Sequence, residues 1–150
     1  MSIWFEGHSE IECNIQVVIN TLENHGEHYL GVVSLMPGLT SVELVEQGND
    51  FVTIKTNEGL MKRTNISKNI EPQRVIIEFD EEYEAGSMVT ANSHFRDEFS
   101  INGTGVTHHL IMSDVKARGL LGFFYRRFGS SNIGNALLKS YKAYLEKQAT

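Results

Sequence analysis

Between Thr40 and Met112 the sequence is a nearly unbroken run of strand-like segments, after which the spacing of apolar residues turns helical. No other feature constrains the fold as tightly. Strands joined by short turns pair mainly with their chain neighbours, so this block forms an antiparallel meander. Ser41–Gln47 and Phe51–Asn57 flank Gly48-Asn49-Asp50, a hairpin turn. Leu60–Ile70, Gln73–Glu84, Met88–Ile101 and Thr104–Met112 follow, separated by Glu71-Pro72, Ala85-Gly86-Ser87 and Asn102-Gly103. The last dipeptide is the strongest hairpin signal, because both residues accept positive φ. Ser113-Asp114 then reads as a helix start. Val115 to Lys147 reads as one long interrupted helix, its apolar face running from Leu120 to Phe128 and again from Leu137 to Leu145. Gly119, Gly122, Gly129 and Gly134 each cost about 1 kcal/mol in a helix. They predict a bend within 129–134 or close packing on the sheet.

Ahead of the meander, Ile3 to Glu12 alternates as a further strand. Asn14 is placed to cap a helix over Ile15–Asn24, with Ile15, Val18, Ile19 and Leu22 on one face. Gly26 is expected to break it. A second short helix, Glu27 to Leu35, stops before Pro37-Gly38. Strands grouped between helical segments give an α+β class: about seven strands in a curved antiparallel sheet, two short helices, and a long C-terminal helix over the concave face. The expectation is one domain over 1–150. A sheet closed by a helix is a container, so the chain is expected to enclose a ligand.

Composition removes other classes. Hydrophobic residues make up 41% and charged residues 21%, and the net charge is −6. A general nucleic-acid binder needs concentrated Lys and Arg, so no nucleic-acid partner is expected. The single cysteine, Cys13, can form neither an internal disulfide nor a cysteine-based metal site. The N-terminal residues lack the basic and apolar stretches of a signal peptide, and no run is long enough to cross a bilayer. A cytoplasmic protein without cofactor is expected. Gly129-Ser-Ser-Asn-Ile-Gly134 has phosphate-loop glycine spacing but continues Asn135-Ala136, and no strand precedes it. His25 and His28 have metal-ligand spacing on a helix but no third ligand, so both are expected at the surface and no metal is expected.

The order of elements resembles the helix-grip fold of the START-like, or SRPBCC, superfamily, which includes polyketide cyclase-like and lipid-transfer proteins. The resemblance spans nearly the whole chain. It is carried by the Trp4-Phe5 strand start, the Leu35-Met36-Pro37-Gly38-Leu39 exit, the Asn102-Gly103-Thr104 hairpin and the Gly119-Leu120-Leu121-Gly122 segment. None of these is a catalytic signature. The resemblance implies an apolar cavity between sheet and terminal helix that holds a lipid, quinone or polyketide-like molecule.

A two-residue turn at Asn102-Gly103 sets Phe99 opposite Val106, Asp97 opposite His108 and Phe95 opposite Leu110. Those residues and Met112 then share one face, the interior. Asp97 and His108 become a polar pair on an apolar wall, the candidate acid and base of an enzyme. Phe79 and Tyr83 alternate inward on the preceding strand, and Tyr83 would offer a hydroxyl. Glu81 falls on that same face, which places a carboxylate at the rim or a fault in the register. From the terminal helix, Leu121, Phe124, Tyr125 and Phe128 complete the expected lining, with Arg118 at the mouth and Phe123 as a point of transient membrane contact. Two readings compete with a carrier of a small hydrophobic molecule: a cyclase- or hydrolase-like enzyme using Asp97 and His108, and a protein-interaction module with a filled core.

Overall fold

The computed structural model describes residues 2–85, 89–117 and 129–150. Its strands are β1 (Ile3–Ile11), β2 (Val42–Gln47), β3 (Val52–Thr56), β4 (Gly59–Ile70), β5 (Arg74–Ala85), β6 (Val89–Asn102) and β7 (Gly105–Ala117). Helices α1 (Ile15–Thr21) and α2 (His25–Val33) lie between β1 and β2, and α3 (Ser130–Gln148) follows β7. The strands make one antiparallel sheet in the order β1-β7-β6-β5-β4-β3-β2. The meander is therefore as expected, and β1 closes onto the last strand instead of the nearest one. Bulges interrupt the pairing near Asn65, Val45 and Ser93 and at the start of β1. A bulge bends and twists its strand, which curves the sheet toward the helices.

The core lies between the inner sheet face and the helices. β5 contributes Val75, Ile77 and Phe79, β6 Phe95 and Phe99, and β7 Val106, Leu110 and Met112, all buried with period two. From the helices come Val18, Tyr29, Val32, Val33, Leu137, Leu138, Tyr141 and Leu145. Each fully buried aliphatic or aromatic side chain contributes roughly 1.5–3 kcal/mol. Helix α3 is also tied to β1: Lys142 Nζ donates to the Glu10 carbonyl at 2.6 Å, and the Glu146 carboxylate accepts from Glu12 N at 2.8 Å.

Four expectations are corrected. The β6–β7 turn is Gly103-Thr104, with Asn102 paired to Gly105 and Gly103 at φ 63°. A glycine at the first central position suits a II′ turn, whose twist matches the strands. Every pair thus shifts by one residue on each strand: Phe99 faces His108, Asp97 faces Leu110 and Phe95 faces Met112. A shift of that kind preserves parity, so the inward set is unchanged. Second, Ser113-Asp114 is no helix start. β7 runs on to Ala117, and Asp114 sits at φ 54° in the strand. Its N–H donates to the Ser2 carbonyl at 2.8 Å, and its Oδ1 accepts from Ser2 N at 3.0 Å. Of the helix expected over Val115 to Lys147, Val115–Ala117 belong to β7, residues 118–128 lie outside the described residues, and the described helix α3 runs from Ser130.

Third, Gly26 lies inside α2. The Asn24 side chain accepts from Glu27 N at 3.1 Å and starts the helix at His25. One helical glycine costs about 1 kcal/mol, too little to end a helix whose cap is in place. Fourth, His25 and His28 are not at the surface. Both are buried, because the helix from His25 turns His25, His28, Tyr29, Val32 and Val33 onto one face. The Asn14 cap is as expected, accepting from Val17 N at 3.2 Å.

Candidate ligand site

A cavity of about 200 Å³ lies on the inner sheet face, between the exit of α2 and the start of α3. Val33, Met36, Pro37 and Leu39 wall it on the α2 side, and Ile133 and Leu137 on the α3 side. Met61 and Arg63 of β4, Glu81 and Tyr83 of β5, Phe95 of β6 and Met112 of β7 form its floor, with Glu58 at the edge. A larger hollow, about 620 Å³, lies outside α1 and α2. Its walls include the exposed side chains Asn20, Glu23, Asn24 and Glu27, so it is a solvent groove.

Arg63 dominates the cavity's polar chemistry. It is only 2% exposed, and β4 pairs it directly with Glu81 of β5. Its Nε donates to Glu81 Oε2 at 2.9 Å, and Glu81 is itself largely covered. The guanidinium carbon stands 4.7 Å from the ring centres of both Tyr29 and Phe79 and 5.7 Å from that of Phe95. Phe79 and Phe95 stack on each other at 4.9 Å. Burial works against the charged guanidinium, but Glu81, with Tyr141 and Tyr29, outweighs it and raises the pKa. Arg63 is therefore cationic, sandwiched between rings and paired through one edge. Nη1 has no hydrogen-bond partner among the described residues. At the edge, Tyr83 OH donates to Glu58 Oε2 at 3.1 Å. Burial and that carboxylate push the Tyr83 hydroxyl up to about 12.

One row of side chains deeper lies a second polar group. Asp97 Oδ1 and His108 Nε2 are 2.7 Å apart, both with no exposed side-chain surface. Tyr141 OH donates to Asp97 Oδ2 at 3.5 Å, and the His108 ring stacks on Phe99 at 4.4 Å. The pair expected from the sequence therefore forms, although diagonally across the strands. Next to it, Thr21 Oγ1 donates to the Val18 carbonyl at 2.9 Å and lies 3.1 Å from His28 Nδ1. Because the hydroxyl proton is committed, Nδ1 must be the donor and Nε2 carries the lone pair. Burial, then the cationic Arg63 nearby, pushes the His28 pKa down to about 3.

Tyr83, Phe95 and Met112 of the expected lining reach the cavity. Phe79, Asp97, Phe99, Val106, His108 and Leu110 face inward but are buried in the packed core beyond it. Arg118, Leu121, Phe123, Phe124, Tyr125 and Phe128 lie outside the described residues. The sequence reading passed over Arg63, although Glu81 pointed to it. A carboxylate facing inward requires a counter-charge on a neighbouring strand, and Arg63 is its cross-strand partner.

No family model matches the chain, and no curated protein matches it. Solved structures do. A conserved protein from Geobacillus kaustophilus superposes with TM-score 0.68 at 14% identity, covering 96% of this chain and 93% of that one. The Zhui aromatase/cyclase from Streptomyces sp. R1128 gives TM-score 0.57 at 15% identity over 97% and 94%. The lipid transfer and protein localization domain of human StarD13 gives 0.56 at 13% over 93% and 75%. The fold is the helix-grip fold of START-like proteins. Among the described residues, no helix is long and apolar enough to cross a membrane.

Proposed function

We propose that the chain binds a small, mainly apolar molecule in the cavity beneath α2 and α3 and acts as its carrier or sensor. The observation that carries this reading is the cavity itself: an inner-face chamber with a largely aliphatic and thioether wall and few polar groups to orient a guest. A lipid-transfer domain and an aromatase/cyclase with the same fold support a guest of apolar character. Catalysis by Asp97 and His108 is the weaker reading. The pair has the hydrogen bond an acid–base pair needs, but neither residue is on the cavity wall.

Native mass spectrometry of freshly purified protein, followed by unfolding and identification of any released compound, tests the proposal. A stoichiometric apolar compound is the expected result. An empty protein that takes up no compound from a panel of small apolar probes would overturn it. Asp97→Asn should leave binding within a few-fold of the unaltered protein, whereas an enzyme would lose turnover.

A further inference from the structure

Three of the chain's five methionines, Met36, Met61 and Met112, stand on the wall of the one inner-face cavity of about 200 Å³. A thioether packs as an apolar group, yet its sulfur takes up an oxygen from a peroxide and becomes a polar sulfoxide. The three are not equally open to that reaction. Met112 is 2% exposed, with Phe5 and Phe95 as its cross-strand partners. Met36 and Met61 are half-buried, so a small oxidant in solvent meets them before it meets Met112.

Met36 has a hydroxyl beside its sulfur. Its N–H donates to the Val33 carbonyl at 3.0 Å, which fixes its backbone at the exit of α2. Its Sδ accepts from Ser140 Oγ of α3 at 3.3 Å, and Ser140 is 3% exposed. The side chain therefore bridges the cavity wall and α3. Oxidation by hydrogen peroxide balances without a further reagent. A sulfur lone pair attacks one peroxide oxygen, the S–O bond forms as the O–O bond breaks, and water leaves after proton transfer. Sulfur loses two electrons and the peroxide gains them. Ser140 remains the donor, now to a sulfoxide oxygen, where the thioether was only a weak acceptor. An oxygen placed between Sδ and Oγ lengthens that link. Lys142 and Glu146 hold α3 on β1, so the flexible Met36 side chain is what yields, toward the cavity. A bulkier, polar group then faces a guest that offers it no hydrogen bond, which opposes binding.

We propose, resting on the binding reading above, that Met36 is a reversible oxidation site whose sulfoxide turns the cavity from holding its guest to releasing it. The test treats purified protein with hydrogen peroxide, locates sulfoxides by peptide mass spectrometry, and titrates ethylbenzene by calorimetry before and after. Met36 should convert ahead of Met112, and ethylbenzene affinity should fall roughly tenfold or more with near-UV circular dichroism retained. Methionine sulfoxide reductases acting on both epimers should restore binding. Met36→Leu, compared with its own untreated form, should lose less than about twofold on the same treatment. If that variant does not fold, the time courses of Met36 and Met61 conversion, set against affinity, decide between the two residues. Binding that survives full Met36 oxidation would overturn the switch and leave the cavity reading intact. So would an equal loss in Met36→Leu, or a loss that follows Met61 instead, since either removes Met36 from the effect. Collapse of the dichroism would make the loss general damage and overturn it as well. Untreated protein that binds no ethylbenzene would overturn the switch, and one that also releases nothing on unfolding would overturn the binding reading too.

Discussion

His28 makes folding stability depend on pH in a calculable way. In the folded chain its pKa is held near 3, against an ordinary 6.5. A histidine held neutral by burial is depressed, so the unfolded chain binds the extra proton first and stability rises with pH. The contribution is fully present above about pH 6.5 and is lost as pH falls below it. At pH 5 the unfolded imidazole is almost fully protonated and the folded one is neutral. Linkage then gives RT ln(1 + 10^1.5), about 2 kcal/mol, lost relative to neutral pH. Any folded pKa below about 4 gives nearly the same figure, so the result does not depend on how deeply the value is depressed. Urea unfolding at pH 7 and pH 5 of the unaltered protein and of His28→Asn measures it. The asparagine can still donate to Thr21 but does not titrate. The unaltered protein should lose about 2 kcal/mol more than the variant between the two pH values. Other histidines titrate equally in both proteins and cancel. Equal losses would refute the assignment of His28 as a buried neutral group.

Three further outcomes are expected. A Cβ on Gly134 would lie 2.3 Å from Phe5 Cγ and Cδ1, so Gly134→Ala should lower the unfolding free energy by about 1 kcal/mol or more, read as a lower urea midpoint, despite its better helix propensity. A raised midpoint would mean that the ring yields freely. Asp97→Ala strands His108 Nε2 and Tyr141 OH in the core and should cost about 3–5 kcal/mol; a loss below about 1 kcal/mol would show that the pair contributes nothing to stability. Asn14→Ala removes the α1 cap and should cost about 1 kcal/mol, read as faster amide exchange confined to 15–21.

The strands were legible because β5, β6 and β7 alternate cleanly and turns punctuate them. The inward parity of Asp97 and His108 survived a misplaced turn, since a shift of one residue on both strands leaves every face unchanged. The Ser113-Asp114 error has a physical source. The residue types that cap helices also tolerate the positive φ of a bulge, and here the contact that decided between them comes from Ser2, which is 112 positions away. A glycine at position 26 reads as a helix break, and that reading puts His28 on the wrong face. Counted from His25, the residues fall at helical spacing, with two histidines standing where apolar residues are expected. Arg63 was hidden by the irregular pattern of β4, whose bulge at Asn65 breaks the alternation beyond it. The cavity's extent depends on how residues distant in sequence pack together, which residue types do not encode.

The pairing of β1 with β7 also orders events in time. β1 precedes every other strand of the sheet in the chain, yet its partner is Gly105–Ala117, and the helix that braces it begins at Ser130. The hairpins of the meander join strands adjacent in the chain, whereas Ile3–Ile11 pairs with a strand that begins at Gly105. Sequence-distant contacts of this kind must overcome loop-closure entropy before they contribute, which slows folding. The interval before β7 and α3 emerge is when the nascent chain most needs protection from intermolecular pairing. Closing the last seam, more than building the sheet, would set the pace at which functional molecules accumulate.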